Sequence, residues 1–116
     1  MVVDFYADWC PPCRAIAPVF SQLADAHALE GKLAFAKVNV DHVQDVAGRY
    51  GVSAMPTFLV FRDGAVRGVK VDAPGMKGGR QSVVLDSEGG IERIRGADRG
   101  ALVAVVEALA GAVRKE

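Results

Sequence analysis

Two cysteines separated by two prolines, Cys10-Pro11-Pro12-Cys13, are the residues of this chain whose type and spacing can do chemistry. A thiol pair at this separation, at the start of a helix, brings its sulfurs within bonding distance across one turn. The first cysteine then sits where unpaired backbone N–H groups and the helix dipole favour a negative sulfur. Its thiolate fraction rises, and the thiolate is the form that attacks a disulfide. Cys13, one turn further in, is expected to be the less exposed thiol and to resolve the mixed disulfide that Cys10 forms. Pro11 and Pro12 lack N–H donors and stiffen the turn, so they tune the ease of reduction. The competing reading is a pair of inert buried thiols or half a metal site. A zinc site needs more ligands, but no second Cys-x-x-Cys or His-x3-His follows, and His27 and His42 have no ligand-like spacing.

The elements around the pair support the redox reading. Val2-Val3-Asp4-Phe5-Tyr6 reads as a buried strand. Pro11 to about Ala28 reads as a helix, with Ile16, Phe20, Leu23 and His27 at near-helical spacing and Pro18 expected to kink it. Leu33 to Val40 reads as a second strand. Asp41 is the expected N-cap of a short helix to about Arg49, with Val43, Val46 and Ala47 turned inward. Thr57 to Phe61 is a central strand, followed by a turn at Arg62-Asp63-Gly64-Ala65. Val66 to Val71 alternates weakly, and Asp72 to Gln81 is a loop. Ser82–Leu85 and Ile91–Ile94 flank Asp86-Ser87-Glu88-Gly89-Gly90 as a hairpin. Asp98 caps a last helix with an apolar stripe of Leu102, Val105, Val106, Leu109 and Val113. The order is β-α-β-α-β-β-α: an α/β fold whose first two strands are parallel. Cys-x-x-Cys beside a βαβ pattern is a known redox signature.

Composition narrows the functional classes. The 116 residues are 51% apolar or aromatic and 24% charged, which is ordinary for one globular domain spanning 1–116. Fourteen basic and 14 acidic residues balance to zero net charge. No basic footprint for nucleic acid and no polybasic membrane patch is expected. The longest apolar stretch, Ala101 to Val113, carries Glu107 and is too short to span a bilayer. Asp4 and Asp8 interrupt any secretory signal at the start, so a cytoplasmic setting is expected.

Taken together, the motifs resemble those of the thioredoxin family. Val2 to Cys13, with Trp9-Cys10-Pro11-Pro12-Cys13 at its end, is similar to that family's active-site strand and motif, with Pro11 where glycine is usual. Lys37-Val38-Asn39-Val40-Asp41 resembles its third strand, and Tyr50 to Phe58 the segment with its cis-proline. Phe61-Arg62-Asp63-Gly64 resembles its hairpin turn. Gly96-Ala97-Asp98 resembles the start of its last helix in fungal thioredoxins. The resemblance implies a thioredoxin fold, a minimal βαβαββα core with a mixed central sheet flanked by helices. It implies that Cys10 is the nucleophile, Cys13 the resolving thiol and Pro56 a cis residue, with Met55 offering its backbone to an extended substrate. Asp4 would be the buried carboxylate that takes a proton from Cys13, with Lys37 beside it. A solvated strand end for Asp4 and a plain surface lysine for Lys37 are the alternatives. Trp9, Pro11, Pro12, Ala54, Met55, Pro56, Gly96 and Ala97 would line the substrate face. No bound cofactor is implied. The partners would be protein disulfides and an electron donor resembling thioredoxin reductase.

Two departures from that pattern stand out. The family's first strand and helix are absent before Val2. The strand near 32–40 should therefore be an open sheet edge, covered by a second copy in a homodimer or left at a cost in stability. About two dozen residues near 66–90 are inserted, expected as an extended hairpin with a mobile tip or, alternatively, as a partner-docking element set away from the cysteines. Arg67, Lys70, Lys77 and Arg80 make the first part of this insert basic against Asp72. Three functions follow as expectations: a reductase of protein disulfides, a binding or assembly module with weak redox activity, or an oxidant or isomerase of a secretory compartment.

Overall fold

The computed structural model describes every residue except 74, 75, 77–79 and 116, so Lys77 and the neighbouring glycines lie outside the described residues. Its elements, in chain order, are β1 (Val2–Tyr6), α1 (Pro11–His27), β2 (Phe35–Asn39), α2 (Gln44–Arg49), β3 (Thr57–Arg62), β4 (Ala65–Val66), β5 (Val83–Leu85), β6 (Ile91–Arg95) and α3 (Arg99–Arg114). The strands form one mixed sheet in the order β2-β1-β3-β6-β5, with β4 pairing β3 beside it. β1 and β2 are parallel, as a strand–helix–strand unit requires, and the other pairs are antiparallel. The Asp63-Gly64 turn takes φ of 54° and 80° at its two central residues, the left-handed geometry that suits a tight hairpin.

Strand alternation sorts the apolar side chains onto two faces. Val2, Phe58, Val60 and Ile94 pack with Ile16 and Phe20 of α1 and with Leu102, Val105, Val106 and Leu109 of α3. Val3, Phe5 and Leu59 point the other way, toward Ala47 of α2 and toward Val40, Cys10 and Cys13. Each fully buried side chain of this kind contributes roughly 1.5–3 kcal/mol. Phe20 sits 5.7 Å from Phe35 and 5.9 Å from Phe58, ring centre to ring centre, joining helix and sheet. β2 is an edge strand, as expected. Its middle residue, Lys37, is exposed, a charge of the kind that discourages edge-to-edge pairing.

Several local expectations are corrected. Asp41 does not cap α2: the cap is Val43, which makes no side-chain bond, because the Asp41 carboxylate is taken by Trp9. Of the three residues expected inward on that helix only Ala47 is buried; Val43 and Val46 are exposed. The insert is not an extended hairpin standing off the domain. Val69, Val71 and Met76 join the α1/α3 core, and Val69 bridges Ile91. Gly68 and Gly90 bring two backbones so close that a Cβ on Gly68 would lie 2.5 Å from the carbonyl carbon of Gly90. The Asp86 carboxylate accepts N–H bonds from Gly68, Glu88 and Gly90, each at 2.9 Å, and closes the turn. The hairpin expected at 82–94 forms as β5 and β6.

Candidate functional site

α1 opens with proline at its first two positions, where N–H groups have no helical partner in any case. That leaves Cys10 as the N-cap, in extended conformation, with its side chain turned back over the first turn. The Cys13 N–H donates to the Cys10 Sγ at 3.2 Å, and the two cysteines form a disulfide with Cα atoms 5.3 Å apart. A free N–H at a helix start is the group that holds a negative sulfur. The expected difference in exposure is not found: Cys10 is 3% and Cys13 5% exposed. Cys10 is covered by the chain around Met55, whose carbonyl oxygen lies 3.6 Å from its Sγ. Helix position, not exposure, therefore distinguishes the two sulfurs. Pro11 and Pro12 are exposed beside them.

The loop over Cys10 is built from two distant segments. The Met55–Pro56 peptide is cis, and the Thr57 hydroxyl donates to the Ala54 carbonyl at 2.7 Å. The Gly96 N–H donates to the Pro56 carbonyl at 2.7 Å, which draws Gly96-Ala97 alongside. Gly96 has φ of 101°, a conformation that a side chain would strain. Ala54 and Ala97 are exposed, Met55 and Gly96 half-buried, and Pro56 buried. Trp9 is 63% exposed, yet its Nε1 donates to Asp41 Oδ2 at 2.9 Å, so the ring is held in place on the surface. Asp8 next to it accepts from Asn39 at 3.1 Å. Every residue expected on the substrate face is thus near the pair or fastened to a segment that is.

Asp4 lies in β1 on the α1 side of the sheet and is 1% exposed, which rejects a solvated strand end. Its Oδ1 has no hydrogen-bond partner among the described residues. Burial pushes its carboxyl up to about 6, against an ordinary 3.8, and the charge of Lys37 pulls partly the other way. Lys37 is Asp4's register partner on β2, with its Nζ 4.6 Å from the centre of the Tyr6 ring. A cleft of about 220 Å³ lined by Tyr6, Cys13, Arg14 and Lys37 opens beside the disulfide. A larger cleft, about 620 Å³, lies between the insert and α3 and includes neither cysteine.

One group escaped the sequence reading. Asp98 was expected only as a cap, and it does accept from the Ala101 N–H at 3.1 Å. It also takes two bonds of 2.7 Å from Arg80 and one from the Ser82 hydroxyl. The end of the insert is thereby fastened to Asp98, two residues from Gly96. Arg80 showed in the sequence only as one basic charge among several.

A family model described as thioredoxin matches residues 1–84. The chain is 48% identical over 118 residues to a thioredoxin-like protein of Fusarium culmorum, covering 99% of this chain and 79% of that one. It is 61% identical to a thioredoxin of Neurospora crassa over 64 residues, which are 55% of this chain and half of that protein. Among solved structures, a thioredoxin of Malassezia sympodialis superposes with a TM-score of 0.65 at 32% identity, over 94% of this chain and 73% of that chain. A thioredoxin of Fasciola hepatica gives 0.64 at 33% identity, over 91% and 76%. The chain belongs to the thioredoxin family, and Cys10–Cys13 is the redox-active disulfide of a thiol-disulfide oxidoreductase.

Proposed function

We propose that the protein reduces disulfides of other proteins. The observation that carries this reading is the Cys10 sulfur, held by the Cys13 N–H at 3.2 Å beneath the backbone of Met55. In the reduced form the Cys10 thiolate attacks one sulfur of a substrate disulfide. A Cys10–substrate bond forms, and the other substrate sulfur leaves as a thiolate and takes a proton from solvent. Cys13 then loses its proton to Asp4, whose raised carboxyl affinity suits an acceptor. The Cys13 sulfur attacks Cys10, and the second substrate sulfur leaves. Two electrons have passed to the substrate, and the protein is left with the disulfide seen here.

In this reading Trp9, Pro11, Pro12, Ala54, Met55, Pro56, Gly96 and Ala97 contact the substrate, and Lys37 adjusts Asp4. An external dithiol donor, a reductase-like partner in a reducing compartment such as the cytoplasm, restores the pair. Dithiothreitol-coupled reduction of insulin tests the proposal. The wild type is expected to speed insulin reduction well above dithiothreitol alone, and Cys10→Ser to return it to that background. Cys13→Ser is expected to accumulate a mixed disulfide. A wild-type rate equal to dithiothreitol alone would overturn it.

A further inference from the structure

We propose that Arg95 and Arg99 form a cationic shoulder on the substrate face and favour disulfides flanked by acidic residues; this rests on the reductase reading above. The two arginines bracket Gly96-Ala97, one ending β6 and the other opening α3. Both are exposed, and neither side chain has a hydrogen bond or ion pair among the described residues.

Their neighbouring acid does not neutralise them. The Asp98 carboxylate is committed inward, to two bonds from Arg80, one from Ser82 and the Ala101 N–H. Arg80, brought by the insert, adds a positive charge where it cancels the one negative charge of the loop. Arg93, on the same strand face as Arg95, is spent on the carbonyls of Tyr50 and Gly51. The loop from 95 to 99 therefore presents two unpaired guanidinium groups.

The shoulder is close to the chemistry. Cys10 Sγ is 3.6 Å from the Met55 carbonyl, and the next carbonyl, that of Pro56, holds Gly96 at 2.7 Å. A substrate strand lying along Met55 to meet Cys10 runs within reach of an arginine side chain anchored at 95 or 99. On the Trp9 side the exposed charges are Asp8, Asp41 and Arg14, whose guanidinium donates to the Asp8 carbonyl at 2.8 Å, so that flank carries two negative charges against one positive. An acidic segment is thus attracted on one flank and repelled on the other, which also sets its orientation.

The test uses two disulfide-bridged peptides that differ only in Glu or Gln beside the attacked cysteine. The pre-reduced protein is mixed with each, and exchange is stopped with acid and counted. At low ionic strength the Glu peptide is expected to exchange about tenfold faster, the lower end of electrostatic steering. The ratio should fall toward one in 0.5 M salt (roughly a 4 Å screening length) and in Arg95→Gln/Arg99→Gln. It should invert in Arg95→Glu/Arg99→Glu. Both side chains are solvent-exposed and make no bonds among the described residues, and circular dichroism verifies that the variants fold. A wild-type ratio of one, or a ratio that survives the double variant, overturns the shoulder and leaves the reductase reading standing. Failure to exchange with either peptide overturns the reductase reading itself.

Discussion

The strand beneath the disulfide and the junction between the insert and α3 each hold an aspartate, and the two are treated in opposite ways. Asp4 is buried to 1% with Oδ1 lacking a partner, and burial lifts its carboxyl to about 6. Asp98 has a side chain 18% exposed and takes bonds from Arg80, Ser82 and the Ala101 N–H. Arg80 first of all holds its carboxyl well below the usual carboxylate range. One carboxylate is kept short of donors at the place where the proposed reaction moves a proton. The other is saturated with donors where an inserted segment must be tied down. The lesson is that partner count, more than burial alone, separates a carboxyl whose proton affinity is raised from one whose proton affinity is lowered.

The largest test of that contrast is Asp4→Asn. A carboxyl raised from 3.8 to about 6 costs the folded state about 3 kcal/mol once ionised. Its folded form binds the proton more tightly, so the wild type is favoured below pH 4 and loses that stability as pH rises through 6. The variant, isosteric with the protonated acid, is expected to be about 3 kcal/mol more stable at pH 8. The two proteins should converge below pH 4, as read by urea unfolding at both pH values. The Cys13 step should slow by up to about a hundredfold if Asp4 takes the proton. A variant less stable than wild type at pH 8 would break the contrast, since Asp4 would then be held by partners after all.

Asp98→Ala is the middle test, with the opposite sign. Loss of an N-cap costs about 1 kcal/mol, and releasing Arg80 and Ser82 adds to it, for roughly 1–2 kcal/mol in all. Because its folded carboxyl is depressed, the stabilisation by Asp98 is complete above the ordinary carboxylate range and fades as pH falls below 4. The gap between variant and wild type should therefore be widest near neutrality and shrink in acid. Amide exchange should speed up first in residues 80–85 and in the first turn of α3, while β1 and β3 keep their protection. Uniform loss of protection would mean that the insert is not a separately tethered unit.

What could be read from sequence follows the same division. The Cys10–Cys13 pair, the Asp63-Gly64 turn, the 82–94 hairpin and the Asp98 cap are local signals, decided by residues a few positions apart, and each appears as expected. The misreadings are long-range. Asp41 was a sound local cap for α2, but Trp9, 32 positions away, takes its carboxylate. The burial of Cys10 depends on Met55, 45 positions away. The insert looked detached because its anchor, Arg80 to Asp98, spans 18 residues, and its contribution to the core comes from Val69, Val71 and Met76, isolated apolar residues among glycines and charges. Propensity registers none of these, since each was settled by competition among groups that only the fold brings together.

The smallest test concerns the one charge that opposes Asp4's isolation. Lys37 faces Asp4 across the β1–β2 pair and is the Coulombic influence that lowers its carboxyl, yet its Nζ rests over the Tyr6 ring rather than on the carboxylate. A charge held that way steadies the ionised acid without supplying the hydrogen bond that would trap it as a carboxylate. Lys37→Gln should therefore raise the Asp4 carboxyl further above 6, as followed by carboxyl NMR titration, and shift the pH at which the Cys13 step accelerates in the same direction. Folding stability at pH 8 should fall slightly, because the buried carboxylate loses its nearest positive charge, and should be unchanged below pH 4, where Asp4 carries none. A titration that does not move would mean that solvent in the cleft beside Cys13 screens Lys37 from Asp4, leaving burial alone to set the proton affinity of the acid.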